Sequence, residues 1–143
     1  MSKAVHHPAD MALTIAHAWT RLEQSLDASL SSVRGISFAE YRLLRALADS
    51  PSSTASRAEL ARAIGRTPSG VTRALRPLEK IGVVKTKPGK RDARLALAAL
   101  TRAGQEMVAD ATGVVEDTVR SLLRRTDTKS PTPFDLLSEL SPR

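Results

Sequence analysis

Residues 56–104 read SRAELARAIGRTPSGVTRALRPLEKIGVVKTKPGKRDARLALAALTRAG, and the fold is decided there. Two short helical patterns come first, separated by Gly65-Arg66-Thr67-Pro68. Ser56 is placed to cap the first helix, with Glu59 three residues later completing a capping box. Leu60, Ala61 and Ile64 supply its buried side. Gly65 ends it, as a residue able to take positive φ at a helix C-terminus. Thr67 caps the second helix, and Pro68 stands in its first turn, where a missing N–H costs nothing. Val71, Leu75, Leu78 and Ile81 form the inner face up to Gly82. Pro77 is expected to interrupt this helix and kink it near Arg73, because it lacks a backbone donor. Two strand-like runs follow, at residues 83–87 and 94–100, with β-branched Val83-Val84 in one and Leu95, Leu97 and Leu100 in the other. Lys87-Pro-Gly-Lys-Arg-Asp forms the turn between them. The pattern is a helix-turn-helix followed by a basic β-hairpin.

Working outward, Ile15, Trp19, Leu22, Leu26, Leu30 and Val33 recur at spacings of three and four, which predicts a helix over residues 10–33 with one apolar stripe. Gly35 stops it. Ser37 with Glu40 forms a second capping box, and the helix it opens places Phe38, Tyr41, Leu44 and Leu47 on one side. Residues 50–56 (SPSSTAS) read as a polar loop. Thr101 caps a last long helix reaching about residue 125, with Met107 or Val108, Ala111, Val115, Val119 and Leu122 as its apolar set. After a polar loop at 126–133, Phe134, Leu137 and Leu140 fit one short final helix. The expected fold class is mainly α with a small β-hairpin wing (α+β): a winged helix-turn-helix with N- and C-terminal dimerisation helices. Its expected parts are an N-terminal dimerisation helix at 1–35, a DNA-binding lobe at 36–100 and C-terminal dimerisation helices at 101–143. The flanking helices carry apolar stripes that a small core cannot wholly cover, and pairing with a second copy would cover them.

Charge singles out the same stretch. The chain carries +7, but residues 56–95 hold eleven Lys+Arg against three acids, a balance of +8, so the remainder is −1. A local excess of this kind draws a polyanion to one face. The helix from Thr67 is expected in the major groove of double-stranded DNA with its N-terminal end leading, and Arg66, Thr67, Ser69, Gly70, Thr72, Arg73 and Arg76 are the candidate contacts. Arg73 or Arg76 can bond a guanine in bidentate fashion, worth about 1–3 kcal/mol of discrimination. At the hairpin tip, Lys90, Arg91 and Arg94 are the candidate contacts. Arg91 or Arg94 suits a narrow A·T-rich minor groove. Asp92 would repel phosphate, so it is read as orienting Arg94 or another nearby Arg, with a simple turn-forming role as the alternative.

Other classes find little support. There are no cysteines, which removes disulfides and thiol chemistry. The three histidines (His6, His7, His17) have no acid cluster beside them, so no metal and no cofactor are expected. Neither a phosphate-cradling Gly-rich loop nor a paired-carboxylate motif is present, and an enzyme is not expected. No apolar run approaches a membrane helix and no signal segment opens the chain, so a cytoplasmic protein with no membrane partner is expected. A winged-helix module that binds protein, or an architectural DNA-binder without effector response, is the competing reading.

With these residues in view, the chain resembles the multiple-antibiotic-resistance-regulator (MarR) family of bacterial winged helix-turn-helix repressors. Four elements match in order: Ala58-Glu-Leu-Ala, Thr67-Pro-Ser-Gly-Val-Thr-Arg, Leu78-Glu-Lys-Ile-Gly-Val-Val and Asp92-Ala-Arg94. Leu100-Thr-Arg-Ala-Gly104 matches the family's Leu-Thr-x-x-Gly ending. The resemblance implies a triangular homodimer joined through its terminal helices and bound to an inverted-repeat operator. It implies that Arg94 enters the minor groove and that Asp92 holds a wing Arg. It also implies release by a small aromatic or phenolic effector between the dimerisation helices and the lobe. Trp19 could stack on such a ligand and Arg42 and Arg45 could pair with its carboxylate; core or interface packing for Trp19 and ordinary surface positions for the two arginines are the alternatives. The sequence departs from the family at Lys85, where an Arg is frequent, and in a short final helix.

Overall fold

A computed structural model describes residues 7–89, 91–92 and 94–124. The final helix expected around Phe134, Leu137 and Leu140, the loop before it and Lys90 at the hairpin tip lie outside the described residues. The elements are α1 (Pro8–Arg34), α2 (Phe38–Asp49), a 3-10 turn (Pro51–Ser53), β1 (Thr54–Ser56), α3 (Arg57–Ile64), α4 (Pro68–Lys80), β2 (Val84–Pro88), β3 (Ala96–Leu100) and α5 (Arg102–Arg124). They form a mainly helical fold with one small antiparallel sheet, a winged helix-turn-helix.

Both capping boxes form. Ser37 Oγ accepts from the Glu40 N–H at 3.1 Å while Glu40 Oε2 accepts from the Ser37 N–H at 2.8 Å. Ser56 and Glu59 repeat the exchange at 3.2 and 2.8 Å. Such a cap contributes about 0.5–2 kcal/mol, enough to fix where a short helix like α3 begins. Gly65 closes α3 at φ 66°, ψ 41°, and the chain turns there into α4.

The structure departs from four expectations. Pro77 does not interrupt α4, which continues to Lys80. The proline lies in the last turn, so little helix remains beyond it to be displaced. Ile81 is not on the inner face. It is the C-terminal cap, at φ −88° and ψ 0°, and is 57% exposed because its backbone has already left the helix. Residues 50–56 are not merely a loop: Thr54, Ala55 and Ser56 form β1, opposite Ala99, Ala98 and Leu97 of β3. The strand order is β1-β3-β2, with Val84 opposite Leu100 and Pro88 opposite Ala96. The hairpin strands start one and two residues later than expected, which leaves Leu95 outside β3 and exposed.

The core is aliphatic. Leu30, Leu43, Leu44, Leu47, Leu60, Val71, Leu75 and Leu78 are almost wholly buried, with Ala98 and Ala111 filling narrower gaps. The α1 stripe is buried only at Leu26 and Leu30; every residue from His7 to Arg21 is exposed. Arg34 pairs with Asp110 at 2.6 Å, fastening the end of α1 to α5.

The root of the hairpin is stitched to the start of α5. Thr101 donates its N–H to the Val83 carbonyl at 3.1 Å and its hydroxyl to the Gly82 carbonyl at 2.7 Å. Its oxygen also accepts from the Gly104 N–H at 3.1 Å, capping α5. A side chain at Gly104 would fall on the Val83 carbonyl oxygen and on Leu100. Gly104→Ala is therefore expected to destabilise the fold by about 1–3 kcal/mol through overpacking, despite the better helix propensity of alanine. Thermal denaturation checks this; an unchanged or raised midpoint would show that the approach is not tight.

Candidate nucleic-acid interface

Thr67 and Pro68 fix where α4 starts. Thr67 Oγ1 accepts from the Gly70 N–H at 3.1 Å, so the hydroxyl is engaged in capping. Thr72 donates its hydroxyl back to the Pro68 carbonyl at 3.1 Å and is half-buried. Of the polar groups read from sequence on this helix, Ser69, Arg73 and Arg76 stand exposed, as does Arg66 just before it. Among the described residues none of these four side chains has a hydrogen-bond or ion-pair partner. Unpaired guanidinium groups just before this helix and along its outer face suit phosphate and base-edge contact.

The hairpin extends the same charge. Lys85, Lys87, Arg91 and Arg94 are all exposed. Asp92 Oδ1 accepts from the main-chain N–H of Arg94 at 2.9 Å, and the Asp92 carbonyl accepts from the Leu95 N–H at 3.1 Å. The carboxylate thus shapes the turn that carries Arg94. It orders that residue through its backbone, not through the guanidinium.

Sequence reading missed a cluster below the hairpin. Thr86 on β2 donates its hydroxyl to Glu79 Oε1 on α4 at 2.7 Å. Arg57, the first residue of α3, stands 3.9 Å from the same oxygen and donates to the Ala96 carbonyl of β3 at 3.3 Å. No spacing in the sequence announces this cluster, because it joins residues from four elements.

The candidate effector contacts divide. Trp19 packs on Phe38 with ring centroids 5.9 Å apart, and Phe38 stacks on Tyr41 at the same distance. The Tyr41 hydroxyl lies 2.9 Å from Thr112 Oγ1, whose proton goes to the Val108 carbonyl at 2.7 Å, so tyrosine is the donor. Arg42 and Arg45 line a separate open cleft of about 430 Å³ with Tyr41, Asp49, Ala63 and Ile64. Arg42 donates to the Ile64 carbonyl at 3.2 Å, and Arg45 pairs with Asp49 at 3.3 Å. The hydrogen bond to Tyr41, and then Asp49, raise the Arg45 pKa above its ordinary value. Trp19 does not line this cleft. Among the described residues no cluster of metal-ligating side chains occurs and no helix is long and apolar enough to cross a membrane.

Residues 34–95 match the sequence model of the MarR family. The whole fold is similar to Sco3205 of Streptomyces coelicolor, a MarR family transcriptional regulator whose structure was determined in complex with DNA. That similarity has a TM-score of 0.81 at 28% identity, covering 97% of this chain and 87% of that one. The matched residues and the surrounding fold are like those of MarR family transcriptional regulators, not of an enzyme. The chain is also similar in fold to MarR itself from E. coli, with a TM-score of 0.78, 22% identity and coverage of 92% and 96%. BpsR of Bordetella bronchiseptica, whose DNA binding is regulated by 6-hydroxynicotinic acid, shares the fold with a TM-score of 0.74 at 16% identity, covering 94% and 91%. No curated protein matches this chain in sequence.

Arg94→Ala is expected to weaken binding to a specific duplex strongly while leaving the thermal midpoint unchanged, since an exposed side chain contributes little to stability. Electrophoretic mobility shift at fixed salt checks this, and unchanged affinity would remove the hairpin from the interface.

Proposed function

We propose that this regulator is a homodimeric repressor that reads an inverted repeat in double-stranded DNA and releases it when a small aromatic acid binds. The observation that carries the DNA reading is the run of exposed, unpartnered Arg66, Arg73 and Arg76 beside exposed Arg91 and Arg94, in a segment of net charge +8. In this reading α4 lies in the major groove, where Arg73 and Arg76 meet base edges while Ser69, Gly70 and the α4 N-terminus meet phosphate, and the hairpin tip with Lys90 reaches the flanking backbone and minor groove. Residues 36–100 form the DNA-binding lobe.

Dimerisation through residues 1–35 and 101–143 is supported by the exposed half of α1. Met11, Ile15 and Trp19 form an apolar stripe that is 59%, 38% and 41% exposed. A helix turn without tertiary partners is marginal in water, so this stretch calls for a cover, and a second copy is the proposed one. The effector reading rests on the control of BpsR by 6-hydroxynicotinic acid and on the aromatic row Trp19, Phe38 and Tyr41 beside α5. Arg42 and Arg45 are the proposed partners for a ligand carboxylate.

Selection from a pool of random duplexes, followed by sequencing, tests the function. An inverted repeat with half-sites about 34 Å apart is expected, with affinity falling in log[salt] at about −0.9 per phosphate contacted. Recovery of no motif would favour an architectural or protein-binding role. Ile15→Glu is expected to yield monomers in sedimentation and to abolish binding to the full repeat; a surviving dimer would move the interface elsewhere.

A further inference from the structure

The segment 56–95 contains only three acids in a strongly basic surface. Glu59 serves a capping box and Asp92 shapes the hairpin turn. Glu79 has no such local task. It stands in the last turn of α4, where a carboxylate meets the negative end of the helix dipole, and Arg57 stands in the first turn of α3, where a cation meets the positive end. Each charge is at the unfavourable end of its own helix, and both point into the same cluster. Glu79 Oε1 receives the Thr86 hydroxyl at 2.7 Å and faces Arg57 at 3.9 Å, and Arg57 continues to the Ala96 carbonyl at 3.3 Å. Thr86 lies in mid-β2 and Ala96 begins β3, so both strands of the hairpin are fastened to the helix pair.

We propose that Glu79 is a positioning residue: with Arg57 and Thr86 it sets the hairpin at one distance and tilt from α4. The major-groove arginines and Arg94 then meet one duplex together. This rests on the DNA-binding reading above. Glu79 touches no DNA in this account and acts through the hairpin. Loss of Glu79 adds net positive charge to the surface. Electrostatics alone therefore has Glu79→Ala tighten binding, whereas loss of positioning weakens it.

The test compares wild type, Glu79→Ala, Glu79→Gln, Arg94→Ala and the Glu79→Ala/Arg94→Ala double variant on the duplex selected by wild type and on a mixed-sequence duplex. Glu79→Ala is expected to lose about tenfold affinity on the selected duplex and none on the mixed one. Glu79→Gln, which keeps an oxygen acceptor for Thr86, is expected to recover most of the loss. In the Arg94→Ala background Glu79→Ala should add no further loss. The cluster is partly exposed, so the thermal midpoint should move by no more than about 5 °C. Hydrogen exchange of the free protein supplies an arm independent of DNA: β2 should exchange faster in Glu79→Ala while the α3 and α4 cores do not change. Unchanged or tighter binding to the selected duplex, full additivity with Arg94→Ala, or unchanged exchange in β2 would each overturn the proposal. If wild type selects no duplex while β2 exchange still rises, the DNA reading fails and the mechanical coupling stands.

Discussion

The lobe is organised by one buried surface, the inner face of α2. Leu43, Leu44 and Leu47 are almost completely removed from water, and α1, α3, α4, α5 and the sheet all pack against this helix. Burying a leucine side chain is worth roughly 1.5–3 kcal/mol, so three on one helix outweigh any polar contact on the surface. Its single polar group in that face, the Tyr41 hydroxyl, has Thr112 as a partner, and no buried side-chain polar atom among the described residues is left unsatisfied. With α2 as a fixed reference, α4 can present an outer face free of structural duties. Val71, Leu75 and Leu78 do the packing, and Arg73 and Arg76 on the opposite side are left to solvent.

What the sequence disclosed and what it concealed follow from range. Ser37 with Glu40, Ser56 with Glu59, Gly65, and Thr67 with Pro68 are signals read within four residues, and the helix boundaries they predict are the ones found. β1 is three residues of Thr, Ala and Ser, too short for alternation to show, and its existence depends on β3 more than forty residues away. Ile81 continued the helical period in the sequence, but the backbone turns at that residue, and periodicity carries no information past the turn. Pro77 was legible as a breaker, but its closeness to the helix end decides the outcome. On the basic face the exposure of Arg66, Arg73 and Arg76 was legible from period and charge. The Arg57–Glu79–Thr86 cluster was not, since its members meet only after four elements have assembled.

The distribution of acids over the basic surface follows a simple physical rule. A carboxylate beside a polyanion site is unfavourable unless it performs a local task. Glu59 satisfies orphan donors at a helix start, and Asp92 satisfies one in a tight turn. Arg42, a proposed partner for a ligand carboxylate, already donates to the carbonyl of Ile64 at the end of α3. Charged side chains here act on the backbone as often as on each other, which is why formal charge locates a basic face but not the duty of each residue.

The join at Thr101 and Gly104 gives α5 a mechanical character. The helix begins in van der Waals contact with the hairpin root and extends for 23 residues, about 34 Å at 1.5 Å per residue. Contact without spare room at that end fixes the direction in which the helix leaves the hairpin. For an arm of this length, a tilt of about 5° displaces the far end by roughly 3 Å. A small change in how α5 leaves the hairpin root is therefore a change of a few ångströms near Arg124.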